Sequence, residues 1–294
     1  MRDAADIERR AIVAKLGKLR EASTVLANRK SSGAWAGLLA APALRKSLVL
    51  VGFAVAWEAY ARVLRNALLL PSFSATLAAL WRGIVQGALL ERAGVSLRLL
   101  LSGYAIAIAA AGVLTALAVT SRVGADVLET CTAMLNPLPA IALLPLALIW
   151  FGLGDASILF VLVHAVVWPL ALSSRSGFAA VPKVQRMVGR NYGITGLAYV
   201  VEILIPAAFP SILTGLKIGW AFAWRTLIAA ELVFGVSSGS GGLGWFIYEN
   251  KNQLEIPSVF AGLFTVILIG LLVENVVFRT IELRTVRRWG MQNA

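Results

Sequence analysis

Residues 181–210 read VPKVQRMVGRNYGITGLAYVVEILIPAAFP and form a polar, basic stretch between two long apolar segments, 156–174 and 211–236. Short connections are enough to join membrane helices, so a loop of this length is expected to have a function of its own. Pro182 suits the first turn of a helix, and Gly193 suits a helix end about three turns later. The sequence therefore predicts a short helix over 182–193 within this loop.

The predicted loop helix is amphipathic. Its basic side chains fall on one stripe, which contains Lys183, Arg186 and Arg190. A neighbouring stripe is apolar and contains Val184, Met187 and Val188. An apolar stripe displayed in water has no lipid to cover it, so we expect a second protein to cover it.

The end of the stretch carries a resemblance to a known family. Gly193 is followed, after nine residues, by Ile203-x-Ile205-Pro206. This spacing resembles the EAA loop of the permease subunits of ABC importers, whose pattern is EAA-x3-G-x9-I-x-L-P. In that family the loop is the coupling helix, which docks in a cleft of the cytoplasmic ATPase subunit. Met187-Val188-Gly189 stands where the family has Glu-Ala-Ala, so this chain lacks the family glutamate.

The flanking segments 68–80, 135–157 and 206–232 resemble the nitrate, sulfonate, taurine and bicarbonate branch of these permeases. This resemblance implies an all-α membrane protein of six transmembrane helices with the MetI-like type I ABC importer permease fold. It further implies a second permease copy, two ATPase subunits that bind ATP and magnesium, and a periplasmic solute-binding protein. The implied location is the bacterial inner membrane, and the implied solute is a small anion such as a sulfonate, nitrate or carboxylate.

The composition independently indicates a membrane protein. Of the 294 residues 59% are hydrophobic and only 14% are charged, whereas soluble proteins carry nearer a quarter of charged residues. The apolar residues are blocked into segments of about the length that a helix needs to cross a bilayer. The net charge of +12 lies mainly in tails and loops, which is typical of topology determinants and does not indicate nucleic-acid binding.

Six spans are predicted, at 48–65, 98–120, 132–151, 156–175, 211–236 and 258–280. The chain then divides into a basic N-terminal tail or amphipathic helix (1–47), a permease domain (48–281) with its coupling loop (176–210), and a C-terminal tail (282–294). Lysine and arginine are concentrated in the tails and in or beside the segments 121–131 and 176–210, so the positive-inside rule places both termini in the cytoplasm. The segment 66–97 is then external and is expected to contain an interfacial helix.

The third predicted span is interrupted by Pro137, Pro139 and Pro145. Membrane helices tolerate proline where neighbouring groups satisfy the freed carbonyls. Two interpretations are comparable: a kinked helix beside a polar cavity, with Asn136 as a lining group of the translocation pathway, or a kinked packing helix. Trp150, Trp168 and Trp245 fall near predicted span ends, where the membrane interface favours aromatic rings.

Charges within the spans are the other candidate pathway residues, because a charge in the bilayer marks a pathway or a pair. On the fifth span, Lys217 can reach the cytoplasmic interface, while Arg225 and Glu231 lie deeper. Arg225 is interpreted as an anion-facing or gate-stabilising cation, and Glu231 equally as a pathway group or half of a structural pair. Gly215 and Gly219 are spaced to let another helix approach closely. On the first span, Glu58 and Arg62 form a predicted i,i+4 pair.

The sequence argues against catalysis and against ATP binding by this chain. It has one histidine and one cysteine, and His164 is interpreted as a hydrogen-bonded core residue. The glycines at 239–244 match G-x-G-x-x-G, but no strand precedes them, so an external turn is predicted. No G-x4-G-K-[ST] occurs, so the ATP must be bound by a partner. An ATP-independent secondary transporter or channel is the alternative function, and a membrane enzyme is a third.

Overall fold

The computed structural model describes residues 42–194, 196–234 and 241–290, and the regular elements in these ranges are all helical. The chain divides into two compact units, Met1–Arg65 and Asn66–Ala294. The described part of the first unit is the helix α1, Pro42–Leu64. In α1 the predicted pair is confirmed, because Arg62 Nη2 lies 2.7 Å from Glu58 Oε1. Residues 1–41 of the predicted tail or amphipathic helix lie outside the described residues, and residues 42–47 form the first turns of α1.

The second unit is a bundle of helices joined by short connections. Its described helices are α2 Phe73–Val85, α3 Ala88–Thr120, α4 Arg122–Leu135, α5 Leu144–Phe151, α6 Asp155–Ala180, α7 Lys183–Asn191, α8 Gly196–Tyr199, α9 Ile205–Phe234, α10 Leu243–Asn252, α11 Ile256–Leu272 and α12 Arg279–Arg284. A 3-10 turn, Ala140–Leu143, leads into α5. Two π-helical segments, Val200–Leu204 and Val273–Phe278, join α8 to α9 and α11 to α12 without a break.

Five helical stretches of the described chain are long and apolar enough to cross a membrane: Leu44–Leu64, Ala88–Thr120, Asp155–Ala180, Val200–Val233 and Ile256–Arg284. A sixth span is obtained if the broken pair Arg122–Leu135 and Ala140–Phe151 is counted as one. The kinked helix predicted over 132–151 is instead two separate helical pieces bent by 89°. The break coincides with Pro137 and Pro139, each of which lacks an N–H and restricts the residue before it.

Two further predictions about this region are corrected. Pro145 does not kink a helix, since it lies in the first turn of α5, where its missing N–H is not needed. The predicted loop 121–131 is mostly helical, because Ser121 caps α4 by accepting a hydrogen bond from Gly124 N at 2.9 Å. The second and fifth spans also begin earlier than predicted, at Ala88 and Val200.

The centre of the bundle is α6, which packs most extensively on α9 and next on α3. The predicted close approach through the fifth-span glycines is confirmed. A Cβ atom added to Gly215 would lie 2.7 Å from Ser173 Cβ, and one added to Gly219 would lie 3.0 Å from Val166 Cγ1. Glycine is therefore needed at both positions for α9 to contact α6 at this separation.

The predicted interfacial helix of the segment 66–97 corresponds to α2. Ser72 caps it, with the Ser72 hydroxyl accepting a hydrogen bond from Ala75 N at 3.1 Å. Thr76 and Ala79 face the bundle and are buried, whereas Trp81 is exposed. This short helix is followed at once by α3, so the chain turns directly from the predicted surface helix into a span.

Candidate functional site

The predicted loop helix is present as α7, and its start is attached to the end of α6. Only Val181 and Pro182 separate the two helices. Arg186, half-buried on α7, donates from Nη2 to Phe178 O at 2.5 Å and from Nε to Val181 O at 3.3 Å. The sequence assigned Arg186 to the basic stripe, but its guanidinium instead satisfies carbonyls at the C-terminus of α6. Bonds of this kind suit a cation at a helix C-terminus, where carbonyl groups lack partners.

The end of α7 is set by Gly193, as predicted. Gly193 has φ of +72°, and Ile194 N donates to Gly189 O at 3.0 Å, which is the bond pattern of a Schellman motif. Gly189 is buried, and a Cβ there would lie 3.1 Å from both Ile203 Cγ1 and Tyr199 Cε2. Glycine at 189, where the family pattern has alanine, thus brings the backbone of α7 close to the π-helical segment that leads into α9.

The apolar stripe of α7 is exposed, as predicted. Val184 is 68% exposed, Met187 56% and Val188 46%. These side chains follow one another at i, i+3 and i+4, so they form one continuous surface patch on the helix. Lys183 is also exposed, and Arg190 belongs to the same helix. The patch lies opposite the side of α7 that Arg186 and Gly189 hold against the bundle.

A cavity of about 270 Å³ lies where the broken pair of helices meets α6 and α9. Its lining includes Asn136 and the Pro137–Ile141 turn from the break, His164 and Trp168 from α6, and Phe222 and Thr226 from α9. A cavity beside the break, which the sequence offered as one interpretation of the third span, is present, and Asn136 lines it. The role of Asn136 in a translocation pathway stays a prediction. His164 and Trp168 were not predicted to belong to it, and Trp168 lies within α6 rather than near its end.

Arg225 lies on α9 next to residues of this cavity. Its Nε donates to Ala221 O at 2.9 Å, and its guanidinium carbon lies 5.4 Å from the centre of the Phe222 ring. Arg225 is exposed and also lines a second cavity of about 180 Å³, together with Lys217 and Glu274. Within the described chain no ion pair of Arg225 occurs. The Lys217 ammonium, which was predicted to reach the cytoplasmic interface, pairs with Glu282 Oε2 at 2.6 Å.

Glu231 is 3% exposed and is bonded on both carboxylate oxygens. Ser96 Oγ on α3 lies 2.8 Å from Glu231 Oε1 and 2.9 Å from Oε2, and Gly244 N donates to Oε2 at 2.8 Å. Ser96 Oγ also accepts from Leu243 N at 2.8 Å. These bonds favour the structural interpretation of Glu231, since they fasten the start of α10 to α3 and α9. Its role in a pathway stays a prediction.

The bonds that join Glu231, Ser96 and the start of α10, called the Glu231 latch below, explain the described glycines of the motif at 239–244. A Cβ on Gly244 would lie 2.6 Å from both Glu231 Cβ and Ile228 O, and one on Gly242 would collide with the Glu231 carboxylate and the Ser96 hydroxyl. The glycines thus permit the backbone to approach a buried carboxylate. Gly241–Gly244 are buried, so they do not form an exposed turn. That this segment lies on the external side stays a prediction, and Gly239 and Ser240 lie outside the described residues.

Comparison with protein families identifies the chain. Residues 103–281 match the family described as binding-protein-dependent transport system inner membrane component. The chain belongs to this family. It is therefore the permease subunit of an ABC importer, a multi-pass inner-membrane protein without catalytic activity of its own, and the family works with ATPase and substrate-binding partners.

The relatives of the permease are named as ABC transporter permeases, and some are named for solutes of the branch that the sequence indicated. A protein of Methanocaldococcus jannaschii named as an ABC transporter permease is 32% identical over 75% of this chain and 83% of its own length. The Escherichia coli taurine transport system permease protein is 32% identical over 50% of this chain and 52% of its own. The nitrate import permease protein of a Synechocystis species is 33% identical over 51% of this chain and 53% of its own.

Proposed function

We propose that this permease forms, as two identical copies, the translocation pathway of an ATP-driven importer for a small anionic solute that a periplasmic binding protein delivers. In this proposal α7 is the coupling helix, and one ATPase subunit covers the patch formed by Val184, Met187 and Val188 on each copy. The observation that carries the proposal is this exposed apolar patch on a helix that is otherwise fastened to the bundle. Burying apolar surface is favourable, so a partner protein that covers this patch gains free energy that an exposed patch does not.

The attachment of α7 suits the transmission of movement from an ATPase. A push on the patch reaches α6 through the bonds of Arg186 to Phe178 O and Val181 O. It reaches α9 through the close packing of Gly189 on Tyr199 and Ile203. Since α6 and α9 are themselves in tight contact through glycines, α7 and both long helices would move as one body.

The solute class is proposed from the relatives and from the charge of the permease. Relatives are named for taurine, nitrate and bicarbonate, which are small molecules that each carry an anionic oxygen-rich group at neutral pH. Arg225 is an exposed cation within a span, where an uncompensated charge is costly. An anion in the pathway would compensate it, as would a group on the second copy.

Co-purification with the ATPase subunit tests the proposal. We would express the permease with the ATPase and binding protein encoded beside it, and measure the ratio of ATPase to permease after affinity purification in detergent. The expected ratio is one to one. Val188→Asp and Val184→Asp should each lower ATPase recovery by about tenfold or more, because a charge in the centre of a docking patch must be desolvated.

The matched control is Gln185→Asp, which adds the same charge to an exposed position of α7 beside the patch. This variant should retain the ATPase and the ATP-driven uptake of taurine or nitrate in proteoliposomes. Equal recovery with all three variants would contradict docking through the patch. A permease that purifies alone and moves solute down a gradient without ATP would support the secondary transporter instead.

A further inference from the structure

The cavity between the broken helix pair, α6 and α9 contains polar groups that the fold does not use. The two imidazole nitrogens of His164 and the indole N–H of Trp168 are buried and have no hydrogen-bond partner among the described residues. The two rings contact each other edge to face, with centroids 6.1 Å apart. A buried polar group without a hydrogen-bond partner is destabilising, so three such atoms beside one cavity suggest that a ligand supplies the partner.

The cavity lies deep within the membrane spans. At about 1.5 Å per helical residue, His164 lies about 14 Å from the start of α6 at Asp155, and Thr226 lies about 12 Å from the end of α9 at Phe234. The hydrocarbon core of a bilayer is about 30 Å thick, so the cavity lies near the middle of the membrane. Polar groups at this depth are costly and typically belong to a solute pathway.

The lining has the chemistry of an anion site. None of its residues is acidic, and the polar side chains supply donors: the indole N–H of Trp168, the amide NH2 of Asn136, the hydroxyl of Thr226, and at least one imidazole N–H of His164 in either protonation state. The rest of the lining is largely apolar and includes Leu138, Ile141 and Phe222. Arg225, over the Phe222 ring, places a positive charge beside the lining without occupying it.

We infer that this cavity is a binding site for the oxyanion group of the transported solute, held by hydrogen bonds from Asn136, His164 and Trp168. The inference rests on the proposed import of a small anion and assigns that solute a site within a single copy of the permease. Neutral donors in place of a lysine or arginine would bind the anion weakly enough to release it, which a pathway site requires. Because these nitrogens are buried, each ring would rotate about its side-chain bonds to direct its N–H group to the solute.

Cysteine protection tests the site in the assembled importer. In a Cys131→Ser background, which has no other cysteine, Thr226→Cys places a thiol in the cavity wall and Thr214→Cys places one on the same helix outside the cavity. The probes are the anionic reagent sulfonatoethyl methanethiosulfonate and its cationic trimethylammonium counterpart. We expect the anionic reagent to label Thr226→Cys faster, and taurine, nitrate or bicarbonate, whichever is transported, to slow this labelling by about tenfold at saturation. Labelling of Thr214→Cys should not change.

Transport kinetics provide the second measurement. Trp168→Phe removes the indole N–H and keeps an aromatic ring, and it should raise the KM for ATP-driven uptake by about tenfold or more, as for a lost hydrogen bond to a charged group. ATPase recovery in detergent should remain normal, which would show that the variant still folds and assembles. Trp150→Phe is the matched control, because Trp150 is exposed and does not line the cavity.

The outcomes separate failure of the site from failure of the proposed function. If uptake is ATP-driven but the cavity thiol is unlabelled or unprotected by the transported anion, or if Trp168→Phe leaves KM unchanged, the site is overturned and the importer stands. Labelling of the solitary permease that is lost on assembly, without any effect of solute, would assign the cavity to the contact between copies. If no ATP-driven uptake occurs, the proposed function itself fails.

Discussion

At the scale of single residues, a buried set of hydrogen bonds joins Glu231, Ser96 and the backbone of α10. A carboxylate with 3% exposure is stable there because two N–H or O–H groups compensate its lost hydration. The bonds connect three helices, so they set where the start of α10 lies. Arg92 adds to this anchor by donating from Nη1 to Gly241 O at 2.8 Å.

Gly244→Ala should therefore destabilise the permease. The added Cβ must move either Glu231 or the Ile228 carbonyl, which lowers the free energy of unfolding by about 1–3 kcal/mol through lost or strained hydrogen bonds. Thermal unfolding of the purified chain in detergent measures this effect. Gly94→Ala is the control, since a Cβ there meets nothing within 4 Å and alanine favours the helix α3. Equal melting temperatures for both variants would show that the Glu231 latch does not contribute to stability.

At the scale of elements, α7 is a short helix whose two ends are fixed by different means. Its start is held by Arg186, and its end is fixed by the left-handed conformation of Gly193. A helix of this length is marginal by itself in water, so these terminal contacts keep it folded while its patch stays exposed. The broken pair formed by α4 and α5 is the other unusual element, and its break is what opens the cavity beside Asn136.

Substitution at Gly193 should reduce coupling in proportion to the strain it introduces. Gly193→Pro fixes φ near −65°, far from +72°, and should abolish recovery of the ATPase while membrane insertion persists. Gly193→Asn should be much milder, because asparagine tolerates the left-handed region. Co-purification and uptake measure both effects, with membrane fractionation as the check on insertion. Full ATP-driven uptake by Gly193→Pro would contradict the role of this helix end.

At the scale of the whole molecule, the tight packing of α6 on α9 joins the helices to which the patch on α7 and the cavity belong. Gly215 and Gly219 allow that packing, and α6 contributes both to the attachment of α7 and to the cavity wall. A movement imposed at the patch would therefore alter the surroundings of the cavity. This arrangement suits a transporter in which a separate cytoplasmic ATPase subunit changes access to a site within the membrane.

The proposed orientation predicts which exposed positions meet the outside. In the Cys131→Ser background, Gln253→Cys at the end of α10 should react with a membrane-impermeant thiol reagent in intact cells. Gln185→Cys on α7 should react only after permeabilisation, because the positive-inside rule places α7 in the cytoplasm. The mass added to the purified chain by the thiol reagent measures the reaction at each of the two cysteines. The reverse pattern would place the termini outside and would exclude docking of α7 on a cytoplasmic ATPase.

The sequence by itself determined the features that depend on local pattern. Apolar runs of membrane-spanning length predicted the helical class and most of the spans, and the Pro182 to Gly193 frame with its i, i+3, i+4 stripe predicted α7 and its exposed patch. These predictions succeed because hydrophobic length, helical period and the backbone restrictions of proline and glycine are all local properties of the sequence. Predicted boundaries were poorer, since helix ends depend on caps such as Ser121.

Only the tertiary structure decided which distant residues meet. Nothing local in the sequence connects Asn136 with His164 and Trp168, or Ser96 with Glu231, because these contacts follow from how α3, α6 and α9 pack. The same holds for Arg186, whose partners are carbonyls at the end of another helix. The helical period shows on which face of its own helix a side chain lies. Its contact partners depend on the neighbouring helices, because the packing of the bundle determines their separation and rotation.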